Sequence, residues 1–199
     1  MSEQLPEKTA ESLSPHAKMH VEWSVGKREL TITYRIVNTG ATPIYVLDLL
    51  PSVDPQTRKP GVNSSAAYVA LPGQRQARVM RGIHPVPPTT FVAAAVMPLG
   101  TRLEENESVE RSLALALPLR QQSCYDWAKR SVELESESVD QVEFIVQYVT
   151  LSTEGLEARP APNGEGLYRI WAKNLSGSVL PLAAPLPVED LPCLRRKAK

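Results

Sequence analysis

The sequence is short of cysteine, of glycine, of net charge and of long apolar runs, and each shortage removes a class of protein. Only two of the 199 residues are cysteines, Cys124 and Cys193. That is too few for a disulfide framework, and in a reducing compartment both would be thiols. Twenty-two basic side chains balance 22 acidic ones, so no global field draws the chain to nucleic acid or to an anionic membrane, and neither partner is expected. The first 20 residues contain no apolar signal-peptide core. No later stretch approaches the roughly 18 apolar residues of a membrane span. The expectation is a soluble cytoplasmic protein, with an exported form whose leader has been removed as the alternative.

Glycine is scarce beside proline, ten against eighteen. This is about twice the usual proline share, and proline is expelled from helix interiors and central strands. A chain of this length can bury a substantial core, and the proline content predicts many loops and little helix.

What is present is strand patterning. Met19, Val21, Trp23 and Val25 alternate with His20, Glu22 and Ser24, and then Leu30, Ile32, Tyr34 and Ile36 alternate with Thr31, Thr33 and Arg35. A period of two puts one face into a core and the other towards water. Asn38-Thr39-Gly40 and Pro43 supply a turn, and residues 44–50 resume as a strand rich in aliphatics. Further strands are expected at 66–71, at 76–83 as an edge or half-exposed strand, and at 90–99 as a buried apolar run. Residues 109–117 and 141–151 alternate as strands, and 167–171 with 179–182 form a last hairpin. The proline-containing stretches 51–65 and 155–166 are expected as long loops, 84–88 as a rigid connector, and 120–130 as an irregular or short helical piece. Glu133, Glu135 and Glu137 form a row of like charge expected to be solvated and to guard an exposed edge.

These elements predict an all-β protein, an antiparallel immunoglobulin-like β-sandwich with long proline-containing loops and little helix. Residues 1–18 are expected as a mobile arm, 19–183 as one sandwich domain, and 184–199 as a proline-rich tail with a basic tip. The stretch TYRIVNTGATPIYVLDL resembles the second and third strands of bacterial immunoglobulin-like modules, including adhesion-type and pilus-chaperone-like sandwiches. That resemblance implies a fold class and no activity.

Residues able to carry chemistry are few. His16, Met19 and His20 would share one helical face and form a copper-type set, with Met80, His84 and Met97 as further ligands from the body of the chain. Against this, His20 falls in the first strand, and no His or Cys spacing matches a zinc signature. Cys124, Asp126 and His84 are the residue types of a thiol nucleophile with its base and orienting carboxylate, at spacings that specify nothing. No glycine-rich phosphate loop, GxSxG elbow or HExxH is present, so neither an enzyme nor a cofactor is expected. Tyr125, Trp127, Tyr168 and Trp171 are the aromatics least clearly assigned to a core, and exposed they would anchor a protein partner. The first functional reading is therefore a non-catalytic binding or assembly module, contacting a protein partner or itself through loops and edge strands. A copper-type metal sandwich is the second and a thiol enzyme centred on Cys124 the third.

Overall fold

The computed structural model describes residues 8–54, 56–73, 75–86, 96–125, 133–162 and 164–197, and it is nearly all strand. In chain order the elements are β1 (Lys8–Leu13), β2 (Ala17–Val25), β3 (Glu29–Asn38), β4 (Ile44–Val53), β5 (Pro60–Asn63), β6 (Tyr68–Gly73) and β7 (Gln76–Arg81). There follow β8 (Leu99–Leu103), β9 (Ser108–Ala116), β10 (Leu119–Arg120), β11 (Leu134–Thr150), β12 (Glu157–Pro160), β13 (Leu167–Trp171), the one-turn helix α1 (Leu175–Ser178) and β14 (Leu180–Arg196). One sheet is antiparallel in the order β1-β2-β3-β9. The other runs β10-β14-β11-β4-β8-β13-β12, with β7 added to β11, β6 to β7 and β5 to β4. The wholly antiparallel expectation is corrected here, since β7 runs parallel to β11 and β10 parallel to β14. Because it lies between β6 and β11, β7 is not an edge, and of the two alternatives it is the half-exposed strand, with Gln76 and Arg78 in solvent.

The period of two places the core between the sheets. Met19, Val21 and Trp23 of β2 and Leu30, Ile32, Tyr34 and Ile36 of β3 meet Val142, Phe144, Val146 and Tyr148 of β11 and Leu182, Ala184 and Leu186 of β14. Burying one large aliphatic or aromatic side chain in such a core stabilises the fold by about 1.5–3 kcal/mol. Strand β4 reads as a continuous apolar run because both its faces are covered. Ile44 and Val46 enter the inter-sheet core, while Tyr45 and Leu47 join Val149, Ile170, Ala172 and Leu175 in a second core on the far side of the sheet.

The turn at Asn38-Thr39-Gly40 is not a hairpin. It carries the chain from β3 in one sheet to β4 in the other, and residues 104–107 carry it from β8 back to β9. Since β3 pairs with β9 and β4 with β8, both strands of one ribbon change sheets at the same corner. Buried Asn38 fastens that corner: its Nδ2 donates to Thr42 O at 3.0 Å and Leu103 O at 3.1 Å, and its Oδ1 accepts from Gly40 N at 3.0 Å. Its backbone bonds to Glu107 O and Asn106 N on the returning strand.

The expected arm and tail are both corrected. Residues 8–13 form an edge strand, with Ala10 packed on the core and Ser14 Oγ 2.6 Å from the Tyr148 hydroxyl. The proline-rich end is β14, paired antiparallel along nearly all of β11. Three of its four prolines are tolerated there for a reason of geometry. The Ala183 N–H points away from β11, to Ser12 Oγ at 3.0 Å, so by alternation Pro181, Pro185 and Pro187 remove donors only from the outer edge. The acidic row is solvated as expected at Glu133 and Glu135, whereas Glu137 is half-buried, and cations reach both ends of the row. Arg195 Nε donates to Glu137 at 2.9 Å, Lys197 Nζ lies 3.0 Å from Glu133, and Arg195 also donates to Leu71 O and Gly73 O.

Two other expectations change. Residues 51–65 are a β4–β5 hairpin whose tip is turned by Asp54 Oδ1 accepting from Gln56 and Thr57 N–H, rather than a loop. The 167–182 hairpin does not form, because β13 pairs with β8 and β12 while β14 pairs with β11. Most of the apolar run expected as a strand at 90–99 lies outside the described residues, as do 126–130.

Four inward positions carry polar groups instead of aliphatic ones. Tyr34 of β3 donates to Asp48 Oδ2 of β4 at 2.7 Å. Buried Arg81 of β7 donates to Asp48 O at 2.8 Å and Ser64 O at 2.7 Å, with its guanidinium 5.7 Å from the Tyr34 ring centroid. Arg111 of β9 reaches Asp48 at 3.9 Å from the solvent side. Burial raises the Asp48 carboxyl above the usual carboxylate range, while Arg81 and the Tyr34 hydroxyl pull it back.

Two outcomes follow from the corner and the polar core. Replacing Asn38 by alanine takes this donor from one buried and one part-buried carbonyl, and should cost about 2–3 kcal/mol in urea unfolding. A loss under about 1 kcal/mol would show that the corner is held elsewhere. Asp48 binds its proton more tightly folded than unfolded, so its contribution is complete below the unfolded value of 3.8 and is lost as pH rises through the raised folded value. Wild-type stability should therefore fall relative to Asp48→Asn as pH rises from about 4, and the opposite slope would mean that Arg81 outweighs burial.

Candidate functional site

The paired corner decides which strands face each other. Asp48 meets Tyr34, so β4 lies behind β3, and Arg111 donates to Thr101 Oγ1 at 3.4 Å, so β8 lies behind β9. The second sheet continues past β8 to β13 and β12, whereas the first sheet ends at β9. Strands β13 and β12 therefore overhang, and their inner face has no opposing strand among the described residues.

Register fixes what that face carries. Thr101 points at the first sheet and lies opposite Leu167, while Leu99 lies opposite Arg169, so Leu167, Arg169 and Trp171 share the inner face. Across the β12–β13 ladder, Arg159 is opposite Arg169 and Glu157 opposite Trp171. The intervening Tyr168 and Ile170 point the other way, into the outer core, where Ile170 and Tyr45 close over Gly100. A Cβ on Gly100 would lie 2.9 Å from Ile170. Glu157, Arg159, Arg169, Ile170 and Trp171 line a shallow, open depression of ≈ 430 Å³.

Two features of this face are unfavourable for an isolated chain. Trp171 is 59 % exposed, a large apolar surface left in water at a position whose strand parity belongs to a sandwich interior. Arg159 and Arg169 are directly opposed like charges; Arg159 has Glu157 at 2.8 Å, while Arg169 has no carboxylate partner among the described residues. Trp and Arg are the side chains that most often carry binding energy at protein interfaces.

Of the three expected aromatic anchors that lie among the described residues, only Trp171 is exposed. Tyr125 is fully buried, its hydroxyl accepting from Val96 N at 2.9 Å, and Tyr168 is half-buried edge-on to Tyr45. Trp127 lies outside the described residues. Arg159 and Arg169 escaped the sequence reading: Arg169 is two residues from Trp171 in a strand, which was signal enough, but Arg159 falls in a stretch without alternation.

The copper-type set does not assemble. His16 lies in the β1–β2 turn beneath Gly40, Met19 is buried in the inter-sheet core, and His20 points out of the opposite face towards Glu11 and Glu22. Met97 packs with the outer core, and Met80 is buried on β7. Among the described residues no three metal-ligating side chains of His, Cys, Asp or Glu type come together.

Chain folding does bring His84 to Cys124. Both line an open cleft of ≈ 550 Å³ with Ser123, Gln122 and Asn63, and Asp126 lies outside the described residues. His84 Nδ1, however, accepts the backbone N–H of Cys124 at 3.0 Å. A neutral imidazole that accepts at Nδ1 carries its proton on Nε2, so this ring anchors the loop and is not poised to take the thiol proton. The other thiol, Cys193, is buried in the core, and burial beside Glu137 pushes its pKa up to about 11.

No helix among the described residues is long and apolar enough to cross a membrane. Comparison of the chain with protein-family models, with curated proteins and with solved structures finds no match.

At neutral pH iodoacetamide should modify Cys124 at the rate of an ordinary thiol, and Cys193 only once the chain unfolds. Alkylation of Cys124 faster by about tenfold or more would instead mark an activated nucleophile.

Proposed function

We propose that the protein is a non-catalytic immunoglobulin-like binding or assembly module, which holds a protein partner or another copy of itself on the inner face of β12 and β13. The observation that carries this reading is Trp171, 59 % exposed on a sheet face that has interior parity and, among the described residues, no opposing strand. Face-to-face sheets joined by strands that change sheet at a corner support the immunoglobulin-like reading of the fold. Covering the Trp171 side chain removes large apolar surface from water, and an anion supplied by the partner relieves the Arg159–Arg169 repulsion. The His84–Cys124 cleft does not compete, because its imidazole is engaged with the backbone.

A photo-crosslinking residue placed at Trp171, in the full chain expressed in its native host, should yield one discrete adduct. The same residue at Glu22, on the outer face of the other sheet, should yield none. Equal adducts at both positions, or none at either, overturn the reading.

A further inference from the structure

We infer that the occupant of this face is an extended, acidic strand of a partner protein, added to the free edge of β9. The inference rests on the binding reading above and specifies its chemistry. Strand β9 ends the first sheet, and no described strand lies beyond it, so alternate N–H and C=O groups of Ser108–Ala116 face outward without a ladder, with the Glu110 carbonyl accepting from Arg111 Nη1 at 3.1 Å. With β3 over β4 and β9 over β8, the next strand of the first sheet would lie over β13. Strands within a sheet are about 4.8 Å apart and stacked sheets about 10 Å, so one added strand both completes the β9 ladder and rests its inward side chains on Trp171 and Arg169.

The chain treats its edges unequally. The outer edge of β14 is closed by Pro181, Pro185 and Pro187, and β12 ends in Pro160. Over its nine residues, SVERSLALA, β9 has neither a proline nor a register shift against β3. An exposed edge of that length and regularity is a template for strand addition, and strand addition is a recurrent mode of peptide recognition.

Charge selects the strand. Arg159 and Arg169 line the shelf and Arg111 projects inward from β9 itself, with Glu157 the sole opposing carboxylate in the depression. Inward positions of the partner strand therefore carry carboxylates, which guanidinium groups bind in a paired, bidentate geometry, alternating with apolar residues that cover Trp171. A lysine at those positions meets three guanidinium groups and is rejected.

The test uses the full-length protein and a short blocked peptide in which threonine alternates with glutamate and valine, compared with the same peptide bearing lysine for glutamate. The glutamate peptide should bind saturably by tryptophan fluorescence and slow the exchange of outward-facing β9 amides, and the lysine peptide should do neither. Arg169→Glu, at an exposed position and melting like wild type, should weaken glutamate-peptide binding about tenfold or more. Binding without protection of β9 overturns strand addition and leaves the Trp171 face as a docking site. Protection of β9 that grows with protein concentration alone overturns the partner assignment in favour of a second copy of this chain. Failure of the peptide to bind while Trp171 still crosslinks removes the acidic-strand inference and spares the binding reading, whereas loss of both removes the reading beneath it.

Discussion

The side-chain amide of Asn38 is the constraint on which the arrangement of both sheets depends. Where a strand leaves one sheet for the other its backbone loses its ladder, and buried carbonyls left without donors cost about as much as a hydrogen bond each. Asn38 resolves this at a single point, by donating to carbonyls on both the outgoing link and the returning strand. Because β3 and β9 change sheets together, β4 is laid behind β3 and β8 behind β9. The inter-sheet core, the contact between Arg111 and Thr101 and the overhang of β12 and β13 all follow from that superposition.

Within the core so formed, Asp48, Arg81 and Tyr34 replace three side chains that a simpler protein would make aliphatic. Their net worth as stabilisation is small or negative, since buried charges lose hydration and Asp48 Oδ1 and Arg81 Nη1 lack hydrogen-bond partners. What they supply is registration. A shift of one residue along β4 would present Leu47 or Leu49 to Tyr34 and turn Asp48 into the outer core beside Tyr45, where no described donor awaits it. The irregular pairing of β4 with β8 between Val46 and Leu49 lies at this place, so the polar set holds the strand in register where its ladder is weakest.

How much of this the sequence disclosed depended on how local the determinant was. The alternations of β2, β3, β9 and the second half of β11 were readable because period two is a local property, and the inward sets named from it are the sets that pack. Partner choice was not readable. The Asn38 turn has the residues of a hairpin, and only the competition between β4 and β9 for the edge of β3 decides that the chain crosses over. The proline-rich end was misjudged because proline content was weighed without its parity: three prolines at alternate outward positions spare every donor that β11 needs. The acidic row is solvated at Glu133 and Glu135 as its charge implied, but the cations that reach Glu137 and Glu133, Arg195 and Lys197, lie some sixty residues away in sequence and have no local signal. Asp48, interrupting an apolar run, was a signal present in the sequence and passed over.

The same accounting of edges bears on function. A sheet protein must dispose of every unpaired edge, and this chain disposes of one with prolines and inter-strand ion pairs at the cost of a seventeen-residue strand, β14, that few sequences would support. At β9 there is no proline, only the inward Arg111 and its bond to the Glu110 carbonyl, and the strands that a continued first sheet would cover are present, carry Trp171, and hold two arginines face to face. Among the described residues a long regular edge and an exposed interior face lie adjacent, while the other long edge is closed. The proposed partner strand accounts for both at once, because one strand added at β9 covers edge and face together, whereas a ligand bound to the shelf alone would leave the edge as it stands.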